Sequence, residues 1–177
     1  MTIRRQITVS FIGILAILSG NLFLYLWMDA ARNAAFEDLQ RVMSRESLIS
    51  AIQQKTGDYQ KQITLLSQTI GSDLQSPSPA EMDEFNAGLA QVQQQARQLV
   101  MLTDAADRPG TEAFANTLST LSESWRIFYE NLGSNHQLAI TELVVQGEGL
   151  ERTVLQDMLP RLQKIEEDRQ SAAATHF

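Results

Sequence analysis

Residues 6 to 28 contain no charged side chain, and twelve of these 23 residues are Leu, Ile, Val or Phe. A helix rises about 1.5 Å per residue, so 23 residues extend about 34 Å, enough to cross a hydrocarbon core about 30 Å thick. Tyr25 and Trp27 lie at the C-terminal end of the stretch, where aromatic residues are enriched at the membrane interface. The sequence therefore predicts a transmembrane helix over residues 6 to 28.

The alternative for this segment is a cleavable signal peptide, whose apolar region is about 7 to 15 residues long and precedes a small-x-small cleavage site. The apolar run here is longer, and residues 28 to 36 offer no such site, which favours an uncleaved anchor. Arg4 and Arg5 precede the run, whereas Arg32 and Arg41 follow it among acidic residues. The positive-inside rule then predicts a short cytoplasmic start, with residues 29 to 177 forming an extracytoplasmic domain.

Small residues recur along one side of the predicted span. Gly13, Ala16 and Gly20 follow helical spacing, and Asn21 lies beside them. Such a stripe lets two membrane helices approach closely, and an asparagine can hydrogen-bond between them. The alternative is that the glycines have no packing role, because Gly is common in membrane helices.

Composition excludes several classes of function. The formal net charge is −7 with acids spread along the chain, so the clustered Lys and Arg typical of nucleic-acid binding are lacking. The chain has no cysteine and only two histidines, His136 and His176. Disulfides and thiolate metal sites are thus excluded, and a histidine-based zinc or catalytic centre is disfavoured. We predict no cofactor, no metal and no enzymatic activity.

Beyond residue 28, apolar residues recur at steps of three and four in four separate stretches, the pattern of amphipathic helices. No stretch alternates with period two long enough to predict a strand. The four apolar stripes comprise Ile49, Ile52, Tyr59, Ile63, Leu66 and Ile70; Met82, Phe85, Leu89, Val92, Ala96 and Leu99; Phe114, Leu118, Leu121, Trp125, Phe128 and Leu132; and Ile140, Leu143, Leu150, Val154, Met158, Leu162 and Ile165.

Four such helices joined by short connections predict an all-α, up-down-up-down antiparallel bundle, whose last helix returns to the membrane. The second helix begins sharply, because Ser78, Pro79 and Glu81 form a capping-box pattern. The third is predicted to begin near Thr111. Its end is predicted at Gly133, with Gly147 as the alternative boundary between the third and fourth helices.

The last helix contains three residues that disturb a regular helix. Gly147 and Gly149 each lower helix stability by about 1 kcal/mol relative to Ala, and Pro160 removes a backbone hydrogen bond and predicts a kink. They are candidates for a hinge that responds to a ligand. The alternative is that they are tolerated irregularities.

Candidate ligand-binding residues are few. Arg45, Arg97 and Arg126 lie next to apolar positions, and Arg126 shares a helical turn with Trp125 and Tyr129. Arginine with aromatic rings can bind a carboxylate or an aromatic ligand by bidentate hydrogen bonds and cation–π contact. The alternative is that the arginines lie along solvated helix faces while the aromatic side chains fill the core.

The layout resembles the four-helix-bundle sensor region of bacterial transmembrane receptors, such as methyl-accepting chemotaxis receptors, sensor histidine kinases and receptor cyclases. The resemblance covers the whole chain but rests on architecture: Arg4 and Arg5, the membrane helix and the following helices. It implies an inner-membrane homodimer with a small molecule or a periplasmic protein bound between helices. Such receptors continue with a second membrane helix, a HAMP linker and an output domain.

Two functions are therefore expected. The first is a sensory module that relays a displacement of its last helix across the membrane, for which an apolar span should follow residue 177 in the full protein. The second is a stand-alone, membrane-tethered helical scaffold or interaction protein of the cell envelope. The second predicts a specific co-purifying partner.

Overall fold

The computed structural model describes the backbone of residues 3 to 69 and 76 to 174, and side chains within 18 to 29, at 36, and within 39 to 68 and 76 to 171. This described part contains helices joined by turns and no strand, which confirms the predicted all-α class. Ile70 and His176 lie outside it. The helices are α1 (Ile3–Thr69), α2 (Pro79–Leu102), α3 (Arg108–Asn131), α4 (His136–Glu142), α5 (Glu148–Arg152) and α6 (Leu159–Ala174). Two π-helical segments, π1 (Leu143–Gly147) and π2 (Thr153–Met158), separate the last three helices.

The chain divides into two compact units, Met1–Arg41 and Val42–Phe177. In the first unit, the side chains from Leu18 to Met28 are exposed in the isolated chain. A Cβ placed at Gly20 would meet no heavy atom within 4 Å, and the neighbouring Asn21 is also exposed. The side chains of residues 6 to 17, with Gly13 and Ala16, lie outside the described ones. Over the residues described, no helix is long and apolar enough to cross a membrane.

The start of α2 confirms the predicted capping box. Ser78 Oγ accepts a hydrogen bond from the Glu81 backbone N–H at 3.3 Å, and the Ser78 N–H donates to Glu81 Oε2 at 2.8 Å. Pro79 occupies the first turn, where its missing N–H leaves no intrahelical bond unmade. These bonds satisfy backbone groups that the first turn of a helix leaves without partners.

The boundaries of α3 differ in part from the predicted ones. It begins at Arg108, three residues before the predicted Thr111, because Pro109 fits the first helical turn. It ends at Asn131, and Gly133 follows with φ of 79°, a conformation that glycine adopts readily. The third and fourth helices are therefore separated near Gly133, as predicted, and not near Gly147.

The chain has four helical runs, namely α1, α2, α3 and the segment from α4 to α6, and all four contribute residues to the core of the second unit. The largest fully buried side chains include Trp125, Phe114 and Phe128 of α3. All four runs contribute to one buried apolar cluster, formed by Ile49, Ile52, Ile63, Phe85, Leu89, Val92, Ala96, Leu99, Phe114, Leu118, Leu121, Trp125, Phe128, Tyr129, Leu132, Ala139, Leu143, Val154 and Leu159.

The last run departs from its predicted stripe. Ile140 is 43% exposed while Ala139 is fully buried, so the prediction for Ile140 was wrong. Val154 and Leu159 are both fully buried although they are five residues apart. This spacing follows from π2, whose hydrogen bonds join residues five apart, including the bond from the Leu159 N–H to the Val154 carbonyl.

Candidate ligand pocket, ion cluster and irregular helix

Two of the predicted ligand-binding arginines lie on the surface of the second unit. Arg97 is exposed, and its Nε donates to the Gln93 carbonyl of its own helix at 3.5 Å. The Arg126 guanidinium lies between Glu123 and Glu130 on α3. Hydrogen bonding to Glu123, supported by Glu130, raises the pKa of Arg126. These intrahelical pairs satisfy Arg126 without a ligand, and each contributes only a few tenths of a kcal/mol.

Trp125 and Tyr129 lie in an aromatic cluster with Tyr59 and Phe85, which were predicted only as members of apolar stripes. The Phe85 and Tyr129 rings stack with centroids 4.1 Å apart and planes 7° apart. Tyr59 meets Phe85 edge to face at 5.3 Å, and its centroid lies 6.3 Å from that of Trp125. The cluster thus joins α1, α2 and α3, and such pairs add about 0.5–1.5 kcal/mol each beyond burial.

Gly88 makes room for this arrangement. A Cβ at Gly88 would lie 1.6 Å from the Tyr59 hydroxyl oxygen, so the tyrosine occupies space that any other residue at position 88 would fill. A glycine inside a helix destabilises it by about 1 kcal/mol relative to Ala. The close approach of Tyr59 gives a physical reason for that glycine, and a mid-helix glycine was the signal in the sequence.

A pocket of about 260 Å³ opens beside the aromatic cluster. Its walls combine three rings with the side chains of two glutamates and one glutamine: Tyr59, Phe85, Tyr129, Glu81, Glu84 and Gln62. Burial raises the pKa of Tyr59 and of Tyr129, and the charge of Glu84 adds to both effects. Both phenols therefore stay protonated at neutral pH. The hydrogen bonds from Ser78 lower the pKa of Glu81, which stays ionised.

Arg45, the third arginine predicted to bind a ligand, lies in an ion cluster within the second unit. It is 3% exposed, and its guanidinium lies 3.1 Å from Asp104 and 3.2 Å from Glu166, which is 7% exposed. Arg169 approaches Asp104 at 3.1 Å and Glu166 at 3.5 Å, and also contacts Asp107. The Arg45–Glu166 pair lies within ion-pair distance without hydrogen-bond alignment.

This ion cluster joins α1, the turn between α2 and α3, and α6. Burial raises the pKa of Glu166, an effect that the charges of Arg45 and Arg169 oppose and those of Asp104 and Asp107 reinforce. Buried ion pairs add little net stability, because desolvation offsets much of their attraction, but losing one partner is strongly destabilising. The cluster therefore connects α6 with α1 and with the turn after α2, and we expect the loss of one of its buried partners to be strongly destabilising.

The three hinge candidates lie in or beside the π segments. Gly147 is the last residue of π1 and is buried, and a Cβ there would come within 3.4 Å of Ser124 Oγ. Gly149 belongs to α5 and has no heavy atom within 4 Å of a Cβ. Pro160 is the second residue of α6, which begins directly after π2. A proline cannot donate a hydrogen bond to the carbonyl one turn earlier, and prolines and π turns are both known causes of bends in helices.

Together, the predicted ligand-binding residues do not form one site. Trp125 and Tyr129 meet in the aromatic cluster, Arg126 is half-buried in ion pairs of its own helix, Arg97 is exposed, and Arg45 belongs to the ion cluster. Over the described side chains, no three His, Cys, Asp or Glu residues are placed to hold a metal ion.

Comparison of the chain with protein-family models, with curated proteins and with solved structures gives no significant match. The resemblance to receptor sensor regions therefore stays a prediction based on architecture.

Proposed function

We propose that this chain is the sensory module of a bacterial transmembrane receptor, anchored by residues 6 to 28 and relaying a displacement of its last helix across the membrane. The observation that carries the proposal is the irregular last helix, in which π1 and π2 interrupt three α-helical pieces. Local π turns often occur at functional positions in helices.

Contacts within the second unit support the up-down-up-down order of the proposed bundle. Near one end, Arg45 of α1 contacts Asp104 after α2 and Glu166 of α6. About four helical turns further along α1, Tyr59 contacts Phe85 near the start of α2. Gln60, beside Tyr59, bonds to Glu151 of α5 at 2.5 Å. Successive helices that run in opposite directions account for all of these pairings.

The π segments suit a relay because the hydrogen-bond register of a π turn can change to that of an α-helix. A π turn closes its hydrogen bond over five residues and an α turn over four, so each π turn contains one additional residue. Conversion of π2 to α-helix would shift α6 by one residue, which is about 1.5 Å along the axis and about 100° of rotation. A ligand that binds one register better than the other would shift the population between them.

An apolar groove of about 590 Å³ in the second unit supports the homodimer that the resemblance implies. Met43 and Leu48 of α1 and Met101 and Leu102 of α2 line it, together with Ser44, Ser47 and Gln98. Met43 is 60% exposed and Met101 is 72% exposed. Burying such side chains against a second copy would remove apolar area from water.

Anchoring and orientation are tested first. Because the chain has no cysteine, Val145→Cys introduces a single thiol at a position that is 72% exposed. We expect the full chain to resist alkaline extraction from membranes, and the thiol to react with a membrane-impermeant maleimide in intact cells. The cysteine-free chain is the control. Recovery in the soluble fraction, or labelling only after lysis, would contradict the proposal.

A hybrid receptor tests the relay. Residues 1 to 174 replace the sensor region of a chemotaxis receptor with known kinase output, joined in helical register to its second membrane helix. Deletion of Gln156 from π2 should change basal kinase output, because it removes the additional residue. The matched control Gln156→Ala keeps the residue count and should leave output unchanged. Equal output from both variants would refute the relay and favour the envelope scaffold.

A further inference from the structure

The ion cluster contains more acidic than basic groups. Its members are Arg45 of α1, Asp104 and Asp107 of the turn between α2 and α3, and Glu166 and Arg169 of α6. Three carboxylates thus share two guanidinium groups, which leaves an excess of one negative charge. This excess is most costly at Glu166, because Glu166 is only 7% exposed whereas the side chain of Asp104 is 52% exposed.

The surroundings of the Glu166 carboxylate favour its protonated form. Within the described residues, Glu166 Oε2 is buried and accepts no hydrogen bond, and the nearest cations lie 3.2 Å away at Arg45 Nε and 3.5 Å away at Arg169 Nη1. Burial destabilises an ionised carboxylate, and only hydrogen bonds or opposite charges offset that cost. Protonation of Glu166 would leave the two guanidinium groups with the two aspartates, so that the cluster becomes neutral.

A small cavity gives the Glu166 carboxyl access to water. It measures about 70 Å³ and lies between α1 and α6. Its lining contains no basic residue and comprises Glu46, Ile49, Ser50, Gln163, Glu166, Glu167 and Gln170. Glu46 and Glu167 are exposed, and Glu46 accepts a hydrogen bond from Gln170 at 2.6 Å. A water molecule needs at least about 10–15 Å³ of accessible cavity, so water can exchange a proton with Glu166 there.

We propose that the ion cluster binds one proton at Glu166 and that this proton holds α6 in the register in which π2 is formed. Conversion of π2 to α-helix would rotate α6 by about 100°. Each residue of α6 would then take the place of the residue that follows it. Glu166 would move from the face next to Arg45 to the present position of Glu167, which is exposed, and Ile165 would take its place beside Arg45.

The two registers therefore bind the proton with different strength. Burial raises the pKa of Glu166 in the π register, by more than the charges of Arg45 and Arg169 lower it, whereas an exposed glutamate titrates at its ordinary value. The register with the higher pKa is favoured as pH falls, so acid favours the π register and base favours the α-helical one. As the signal of a sensory module, the proton rests on the function proposed above, whereas proton binding stands on the cluster alone.

Proton binding is tested by carboxyl-carbon NMR of the full chain in detergent micelles, with isotope-labelled glutamate and the Glu166 resonance assigned through bonds from its own backbone amide. We expect Glu166 to titrate with a pKa above the ordinary value of a glutamate, and the exposed Glu167 to titrate close to it. The measurement needs no substitution. A pKa of Glu166 at or below the ordinary value would overturn the proposal.

The change of register is tested by distances between two spin labels, one on α3 at Ser119→Cys and one on α6 at Ser171→Cys. Both positions are exposed, and the natural chain has no cysteine. We expect the distance distribution to shift between about pH 5 and about pH 8, because rotation of α6 moves its label. An identical distribution at both pH values would overturn the proposal.

Matched substitutions on α6 assign the shift to one carboxyl. Glu166→Gln keeps the shape of a protonated glutamate, so its distance distribution should stay in the acid form at both pH values. Glu167→Gln removes the same charge from the adjacent exposed position and should leave the shift unchanged. Circular dichroism verifies that both variants are folded. A shift that persists in Glu166→Gln, or one that Glu167→Gln also abolishes, would overturn the role of Glu166.

The hybrid receptor separates this proposal from the sensory one. Its kinase output should follow external pH, and the hybrid with Glu166→Gln, which reports any pH response of the output region alone, should lose that dependence. A proton-dependent shift of α6 without a change in output would refute the sensory function while supporting the proton site. Deletion of Gln156 that alters output, in a chain whose α6 does not respond to pH, would refute the proton site while supporting the sensory function.

Discussion

Replacement of Arg45 by methionine removes the central cation of the ion cluster and keeps a side chain of similar length. The substitution leaves Glu166, which is only 7% exposed, with Arg169 at 3.5 Å as its remaining cationic partner. Breaking a buried ion pair in this way costs about 3–5 kcal/mol. Asp104 is 52% exposed at its side chain, so its lost partner adds little. The hydrogen bond from Arg45 to the Leu102 carbonyl, at 3.4 Å, is lost as well.

Protonation of Glu166 limits the loss of stability in the Arg45→Met variant and makes that loss depend on pH. Burial already raises the pKa of Glu166, and loss of Arg45 removes the largest opposing charge, so the pKa should rise further. A carboxyl whose pKa is higher in the folded state than in the unfolded state binds its proton more tightly in the folded state. The stability that this proton adds to the folded state is fully present below the unfolded pKa and is lost as the pH rises through the folded pKa. The Arg45→Met variant should therefore be destabilised by about 3 kcal/mol at pH 8 and by less at pH 5.

Urea unfolding of the full chain in micelles, followed by circular dichroism at both pH values, measures this difference. Arg97→Met is the matched control, because Arg97 is exposed and donates a hydrogen bond to a carbonyl of its own helix, and its effect should stay within about 0.5 kcal/mol. The double variant Arg45→Met/Glu166→Leu should recover most of the stability, since an apolar replacement of a buried pair is often neutral. The reasoning is refuted if Arg45→Met and Arg97→Met are equally stable, or if the loss is larger at pH 5.

Substitutions at glycines and at the α2 cap give three further tests by thermal unfolding. Gly88→Ala should lower stability by about 1–3 kcal/mol because its Cβ would displace the Tyr59 hydroxyl. Gly57→Ala should instead raise stability by up to about 1 kcal/mol, because no heavy atom lies within 4 Å of a Cβ at that position. Equal effects of the two substitutions would contradict the close approach of Tyr59 to Gly88. Gly133→Ala should cost about 1–2 kcal/mol, given a positive φ and a Cβ 2.5 Å from the backbone nitrogen of Ser76, and an unchanged melting temperature would show that the turn relaxes. Ser78→Ala should cost about 1 kcal/mol by removing the cap, unlike Ser78→Asp, which retains an acceptor.

Much of the fold could be predicted from spacing alone. Steps of three and four identify the buried faces of α2 and α3, where Phe85, Leu99, Phe114 and Trp125 are all buried as predicted. The capping box at Ser78 was readable for the same reason, because it depends on residues three apart in sequence. Local chemistry decides both features, so the sequence contains the information needed to find them.

The candidate sites were harder to predict, because they depend on contacts between helices. Tyr59 and Glu84 have no unusual sequence neighbours, and their approach to one pocket follows from the relative positions of α1 and α2. Arg45 was predicted either as a candidate ligand-binding residue or as part of a solvated helix face, whereas acids more than 50 residues away in sequence surround it. Periodicity indicates which face of a helix is buried but not which side chain it will meet.

The π segments explain why the last helix was the least predictable and link it to the ion cluster. A uniform α-helical stripe would place Leu162 and Ile165 fully inside, yet both are only partly buried, while Leu159 and Glu166 are buried. The additional residue of π2 rotates the helix that follows it, so that Glu166 takes the place of an apolar residue on the face next to Arg45. A buried carboxylate requires a cation there, and Arg45 supplies it. The irregular helix and the buried ion pair are therefore linked: without the additional residue of π2, α6 would be rotated and Glu166 would point away from Arg45.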